Sequence, residues 1–493
     1  MLGPYEIEYE GRRYFGNVLL REYHIFEHDN AHYLVDVGNK AVSPIPARLA
    51  SMIKKVDSAF GSLIPESAME ELRKFKLVAG EEEAPSNAVT DSESAVSCEE
   101  FEYPVVNICL FLAQECNMRC VYCFGDGGHY AGKGMMKEET AFRAVDWLME
   151  NSKKAKKVNI GFFGGEPLMN FSLMKKIVPY AKEQGTKKGK QVFFNITTNG
   201  SLLNGEIITF LKEEKIITLI SFDGPSEYQN SQRPFKNGKG SYDKVFANIQ
   251  KLRAAIPHLT ARATLCGEAD PFRVKEGMVR AGFTTYFITR ASPVLLNPQL
   301  AVIPSDREEA LQRMLAFNHK ETEQLLAAIR ERKINKDYLP GLLHVMTEMD
   351  FGQKRHYGCG IGKGMVAISA NGDIYPCHRF VGIEELRFGN IADYHIEGLN
   401  DYWRAVVDHL PECWSCWARY FCGGGCFYNN KAHTGDMHRP DSLFCRETKA
   451  MFEGLIHVFC ELSKDDKELL KGIMKYVTEE QTFKMPINPT INR

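Results

Sequence analysis

The chain reads as an α/β protein built on a parallel sheet. Between residues 103 and 291, apolar runs of strand length at 105–113, 158–163, 192–197, 217–222, 261–265 and 285–288 alternate with helical periodicity at 137–150, 172–184, 205–214, 242–255 and 273–281. Parallel neighbours need crossover connections of this kind, so the alternation implies six strands side by side with helices between them. Three cysteines, Cys116, Cys120 and Cys123, follow the first run directly. A second, denser field of cysteines occupies the last third of the chain and sets it off as a further unit.

Size and composition agree. At 493 residues, 44% hydrophobic and 25% charged, the chain is globular and long enough for about three units. A formal net charge of -2 gives no basic field and argues against nucleic acid as partner. Glu6, Glu8, Glu10, Arg12 and Arg13 interrupt the start of the chain, which does not suit a signal peptide. No apolar run approaches the roughly 20 residues of a membrane span. Fourteen cysteines at metal-site spacings, without an export signal, suit a reducing cytoplasm and metal ligation better than disulfides.

The first cysteines stand in a CxxxCxxC loop followed by a glycine-rich turn at 125–128. Three thiolates on one short loop can hold three corners of a [4Fe–4S] cubane and leave the fourth iron without a protein ligand. Zinc, which would want a fourth ligand close by, and structural thiols are the alternatives. Further motifs fall where the next strands end: Gly164-Gly165-Glu166-Pro167, then Thr197-Thr198-Asn199-Gly200, then Ser221-Phe222-Asp223-Gly224-Pro225. Any one of these alone would be a turn. In register at the carboxyl ends of successive parallel strands, where ligands gather, they describe one site.

Around this centre the chain divides into further segments. Residues 1–79 predict a small α+β unit, with a strand at 32–37, a turn at Gly38-Asn39-Lys40, a return at 41–43 and helices at 46–56 and 65–75. Residues 80–102, with Glu81, Glu82, Glu83, Asp91, Glu93, Glu99 and Glu100 among Ser, Pro and Ala, form an acidic solvated linker. The barrel segment spans 103–304, and 305–350 reads as a charged, solvated helical bridge. Residues 351–460 hold Cys359, Cys377 and the run Cys413-x2-Cys416-x5-Cys422-x3-Cys426, with Cys445 beyond, and 461–493 is a tail.

These motifs resemble the radical SAM superfamily, and the second cysteine field resembles its SPASM extension. The resemblance implies a partial (β/α)6 barrel, a winged-helix-like leader-recognition domain before it and a cysteine-rich SPASM domain after it. It also implies that the cluster on Cys116, Cys120 and Cys123, with the aromatic Tyr122 before the last cysteine, binds S-adenosylmethionine and cleaves it to a 5′-deoxyadenosyl radical. Gly164, Gly165, Glu166 and Pro167 match the GGEP motif that receives the cofactor's amino group. Thr198 and Asn199 are placed as in the peptide-modifying branch, and Ser221 and Arg233 are candidates for the cofactor's carboxylate.

In SPASM relatives one auxiliary cluster takes the counterparts of Cys413, Cys416, Cys422 and Cys445, and the other those of Cys359, Cys377 and Cys426. Three [4Fe–4S] clusters are thus implied. Seven cysteines serve where two fully ligated cubanes would need eight, so the first auxiliary cluster is expected to keep an open iron. Cys98, Cys109, Cys266 and Cys460 stay unassigned, and Cys460, in an apolar helical stretch, reads as a small buried residue.

The organisation resembles that of thioether-forming maturases of the sactipeptide and ranthipeptide type, as do the phrases Cys377-His378-Arg379-Phe380-Val381-Gly382 and Cys416-Trp417-Ala418-Arg419-Tyr420-Phe421-Cys422. Such enzymes join a cysteine sulfur to a carbon of an acceptor residue. The implied partners are a precursor peptide, its leader added as a strand to the amino-terminal domain, and an electron donor such as flavodoxin or ferredoxin. Sulfatase-maturing formylglycine enzymes share the SPASM pattern but carry an aspartate base where this chain has His378, an imidazole that could also serve as a base. That reaction is disfavoured and still open. From another class, an iron–sulfur electron carrier or a zinc-stabilised peptide-binding module would need neither GGEP nor an open first cluster.

Overall fold

In the computed structural model the described residues are the strand segments 6–9, 12–15 and 18–19, then 23–51, 104–300, 306–334, 341–349, 354–393 and 406–470, and singly 74, 304 and 402. Two small antiparallel sheets come first: β1 (Glu6–Tyr9), β2 (Arg12–Phe15) and β3 (Val18–Leu19), then β4 (Tyr23–His28), β5 (Ala31–Asp36) and β6 (Ala41–Ile45). Asp29 and Asn30 turn β4 into β5 with φ of 49° and 63°, the left-handed pair that a two-residue primed hairpin requires. The strands expected at 32–37 and 41–43 are thus present. β4 was missed because Phe26 is its sole buried side chain, so the segment shows no alternation. The helix expected at 46–56 is seen at 47–51. Its remainder, the helix at 65–75 apart from residue 74, and the linker at 80–102 (as is 103) lie outside the described residues, and a winged-helix-like domain is not shown.

The barrel is a row of six parallel strands in chain order: β7 (Asn107–Ala113), β8 (Lys157–Gly164), β9 (Gln191–Thr198), β10 (Ile217–Ser221), β11 (Thr260–Leu265) and β12 (Thr285–Arg290). Each matches an expected strand closely: β7 and β8 are near-continuous apolar runs buried on both faces, and β9 to β11 alternate buried with more open positions. All five expected crossover helices are present. The additional short helix Ser226–Gln232 was missed because its polar sequence has no apolar stripe.

One face of the sheet packs on the helices, with Ile160 and Phe162 against Ile177 and Val178 in the main core. The other face lines a cavity, and the period of two is visible there: Asn195 and Thr197, Leu219 and Ser221, and Arg262 and Thr264 all point inward. Across the first three strands runs a buried amide ladder, in which Asn159 Nδ2 donates to Asn107 Oδ1 at 3.0 Å and to Asn195 Oδ1 at 2.7 Å.

The cysteine-rich unit is not a separate body. Its β13 (Met365–Ile368) pairs in parallel with β7, and β14 (Ile374–Tyr375) pairs antiparallel with β13, so the barrel sheet grows to eight strands. This pairing covers an edge that would otherwise be open and delivers Cys377 to the barrel. The bridge also departs from expectation. Its helix Arg307–Arg330 is not solvated all round but buries Leu311, Met314, Phe317, Leu325 and Ile329, a stripe hidden by the helix's high charge content. With the helix Ser442–Glu461 it forms the platform on which Phe26, Tyr33 and Val35 of the β4–β6 sheet pack.

Removing the centre of the amide ladder leaves two acceptors without their donor. Asn159→Ala is therefore expected to destabilise the barrel by about 2–3 kcal/mol, read as a lower melting temperature in anaerobic thermal unfolding.

Candidate active site

The cysteine loop leaves β7 at Ala113 and is pressed against the turn that follows β8. Gly165 N–H donates to the Ala113 carbonyl at 2.8 Å, and Glu166 N–H donates to the Glu115 carbonyl at 2.9 Å. A Cβ on Gly164, whose φ is 123°, would stand 2.2 Å from the Ala113 carbonyl oxygen, and one on Gly165 would stand 2.2 Å from that of Glu115. Only glycine permits this approach. Gly128, from the far side of the loop, closes on both: its Cβ would lie 2.7 Å from the Cys116 Cβ and 2.8 Å from the Gly165 Cα.

The sulfurs sit among donors. Cys116 Sγ accepts from Met118 N–H at 3.4 Å and from Asn199 Nδ2 at 3.8 Å, while backbone N–H groups of Gly125, Gly127 and Gly128 face Cys123. Burial pushes the Cys116 thiol up to about 12 and raises those of Cys120 and Cys123 as well. Thiolates here therefore call for a cationic partner that offsets burial.

Glu166 is wholly buried, and its carboxylate ties the loops together. Oε1 accepts from Thr198 Oγ1 at 2.7 Å and from Leu168 N–H at 3.1 Å, and Oε2 accepts from Asn199 N–H at 2.8 Å. Burial raises its carboxyl to about 7, opposed by these same hydrogen bonds. Asn199 in turn donates to Asn117 Oδ1 at 2.9 Å, so the Thr-Thr-Asn-Gly segment orients the cysteine loop. Of the GGEP residues, Gly164 and Gly165 line the cavity, and Glu166 and Pro167 are buried behind them.

On the opposite wall Tyr122 Oη donates to Asp223 Oδ2 at 2.7 Å, and the same carboxylate oxygen lies 3.0 Å from Arg233 Nε in a buried ion pair. Asp223 Oδ1 accepts from Thr264 N–H at 3.0 Å. Arg233 Nη1 reaches Cys120 Sγ at 4.0 Å, so the arginine is clamped between an acid and a cluster cysteine. Tyr122, Thr198, Asn199, Ser221 and Arg233 all line one cavity of about 450 Å³ with Cys116, Cys120 and Cys123.

In the second cysteine field the thiols fall near one another in two sets. Cys413 feels the charges of Cys422, Cys445 and Cys416, and burial with these neighbours pushes its thiol up to about 12. Cys377 is raised likewise by burial, with Cys426 and Cys359 beside it. Tight backbone contact brings the segments together: a Cβ on Gly358 would meet the Gly425 carbonyl oxygen at 2.3 Å, and one on Gly423 the Tyr357 carbonyl at 2.4 Å. Among the described residues no three cysteine sulfurs lie within 4.8 Å of one another. A zinc tetrahedron with Zn–S of about 2.3 Å would need them roughly 3.8 Å apart, closer than any three cysteines stand here.

Cys359, His378 and Arg379 line the same cavity as the first cysteine loop. His378 packs against Phe163 with ring centroids 4.8 Å apart, and burial beside Arg379 and Arg262 pushes its imidazole down to about 3. Sequence reasoning missed several residues. Arg379 spans the two units, donating to Asn429 Oδ1 at 2.5 Å, Ser292 Oγ at 2.6 Å and Cys426 Sγ at 3.8 Å. Arg262 is surrounded by protein yet open to the cavity, and among the described residues its guanidinium has no hydrogen-bond or ion-pair partner. Cys109, on β7, lines the cavity within reach of the charge on Cys377. Residues on one face of a strand betray a shared cavity only once the barrel is closed.

A half-barrel whose strand ends hold three cysteines above a polar cavity, with a cysteine-rich extension on the sheet edge, defines a cluster-bearing α/β enzyme fold. Residues 111–270 match the Radical SAM superfamily and residues 359–417 the SPASM iron-sulfur cluster-binding domain. The chain therefore carries a radical SAM domain and, C-terminal to it, a SPASM domain. It is 25% identical over 367 residues to a cysteine-type anaerobic sulfatase-maturating enzyme of Clostridium novyi, covering 69% of this chain and 92% of that one. The fold is similar to that of anSMEcpe with bound AdoMet and Cp18Cys peptide, with a TM-score of 0.60, 17% identity and coverage of 74% and 99%. It is also similar to that of Streptococcus suis SuiB bound to precursor peptide SuiA, with a TM-score of 0.50, 16% identity and coverage of 86% and 98%. Among the described residues no helix is long and apolar enough to cross a membrane.

Two substitutions test the loop contact. Gly165→Ala is expected to displace the cysteine loop and lose about four irons per chain while the auxiliary irons remain. Glu166→Gln, which sets an amide against the Asn199 N–H or the Thr198 hydroxyl, is expected to weaken S-adenosylmethionine binding at least about tenfold, a loss of about 1.4 kcal/mol measured by equilibrium dialysis.

Proposed function

We propose that this chain is a peptide maturase that joins a cysteine sulfur to a carbon of an acceptor residue in a ribosomally made precursor. The observation that carries this reading is the shared cavity: Cys359, from the auxiliary group that is one cysteine short of a full set, lines the same space as Cys116, Cys120 and Cys123. When bound, S-adenosylmethionine and the three iron–sulfur clusters supply radical hydrogen abstraction, a metal ligand for the peptide thiolate and a route for the surplus electron.

The chain's own residues hold and orient. Cys116, Cys120 and Cys123 carry the first cluster, Cys359, Cys377 and Cys426 the second, and Cys413, Cys416, Cys422 and Cys445 the third. Gly164 and Gly165 offer backbone to the cofactor's amino group, and Ser221 and Arg233 receive its carboxylate. The Asp223 pairing holds Arg233 in place on the cavity wall, which serves positioning. Arg262, whose guanidinium is unpartnered among the described residues, presents a positive charge to a carbonyl or carboxylate of the peptide. His378 narrows the passage between the first and second clusters by packing on Phe163. The leader would add to an edge of the β4–β6 sheet, and a flavodoxin or ferredoxin would supply electrons.

A second reading, formylglycine formation, is favoured by the relative from Clostridium novyi, which aligns over most of both chains. The two are separated by one experiment. After co-expression with a cysteine-containing precursor peptide, thioether formation removes two hydrogens, consumes one alkylatable thiol and retains the sulfur. Formylglycine formation loses the sulfur, and that result would overturn the proposal. The reconstituted protein should carry about twelve irons. A fully active preparation with four would remove the auxiliary clusters from the reading.

A further inference from the structure

Away from the cavity, three histidines face one carboxylate at the seam between the amino-terminal sheet and the helical platform. Asp29, in the β4–β5 turn, has Oδ2 3.8 Å from His28 Nε2 and 3.7 Å from His457 Nε2, and Oδ1 3.5 Å from His319 Nε2. The donor atoms of His28, Asp29 and His319 all lie within 4.8 Å of one another. The donors come from three elements: the hairpin turn, the helix Arg307–Arg330 and the helix Ser442–Glu461. We propose that His28, Asp29 and His319, with His457 as fourth donor, form a zinc site that fastens the amino-terminal sheet to the body of the enzyme.

The surroundings orient the rings as metal sites do. His319 turns its Nδ1 toward Glu323 Oε1 at 3.7 Å, and His457 Nδ1 stands 2.6 Å from the hydroxyl of wholly buried Tyr33. Tyr33 also hydrogen-bonds Glu461. With its proton given to that carboxylate, the Tyr33 oxygen accepts from His457 Nδ1–H, which leaves the Nε2 lone pair facing Asp29. A carboxylate on the far ring nitrogen is a usual outer shell of a histidine ligand, and at His457 the Tyr33 hydroxyl, backed by Glu461, takes that place.

The ring nitrogens stand 3.5 to 3.8 Å from the Asp29 carboxylate, slightly wider than a tetrahedral ion with bonds of about 2.0–2.1 Å requires, and His457, which lies outside the set within 4.8 Å, has to move in to complete the site. Three nitrogens and one carboxylate oxygen select zinc or a neighbouring transition metal over calcium or magnesium. A cleft of about 280 Å³, lined by His28, Asp29 and His457 among others, gives the ion a path in.

The test uses full-length protein with its iron–sulfur clusters reconstituted, dialysed anaerobically against chelator-buffered zinc. Wild type should hold one zinc per chain beyond His319→Gln and Asp29→Asn, both changed at exposed side chains, with iron content equal in all three. X-ray absorption at the zinc edge should show nitrogen and oxygen neighbours, and hydrogen exchange across residues 23–36 should slow with zinc in wild type alone. Equal zinc in wild type and both variants, no zinc in wild type, or a sulfur shell around the zinc would each overturn the proposal.

Discussion

The structure depends on the contact between the turn after β8 and the cysteine loop after β7. Two backbone hydrogen bonds draw these segments together, and Gly164 and Gly165 leave no room for a side chain between them. The buried Glu166 carboxylate then reaches across to Thr198 and Asn199, so three successive strand ends are fixed relative to one another. A site that must hold a cluster and a cofactor in register is best built on rigid strands whose loops restrain each other. Here the restraint is a single buried acid surrounded by backbone and hydroxyl donors.

A second constraint comes from the open edge of the half-barrel. A row of six parallel strands would leave the outer edge of β7 unpaired, and β13 takes that position. The same pairing carries Cys377, His378 and Arg379 to the cavity. Edge protection and site construction are thus one interaction, and Arg379, held by Asn429 and Ser292, keeps the auxiliary unit seated on the barrel.

The amino-terminal sheet is joined to the far side of this assembly. His24 stacks on Trp417 with ring centroids 4.3 Å apart and parallel planes, beside Cys416 of the second auxiliary group. Phe26, Tyr33 and Val35 pack on the platform helices, and the histidine seam closes one end. A peptide bound to this sheet would therefore be coupled through packed side chains to the cluster-bearing unit.

The sequence by itself determined the six barrel strands, the cysteine groups and the glycine-rich turns. Strand burial, metal-ligand spacing and close backbone approach each leave a local signature in the order of residues. It misjudged the helix Arg307–Arg330 because charge masked an apolar stripe, and missed β4 because only Phe26 faces inward. Tertiary structure alone decided that β13 extends the barrel, that Arg262, Arg379 and Cys109 share the cavity with the first cysteine loop, and that Asp29 meets histidines from distant helices. Those partners are separated by tens to hundreds of residues, and no local periodicity records a contact that exists only once the chain closes on itself.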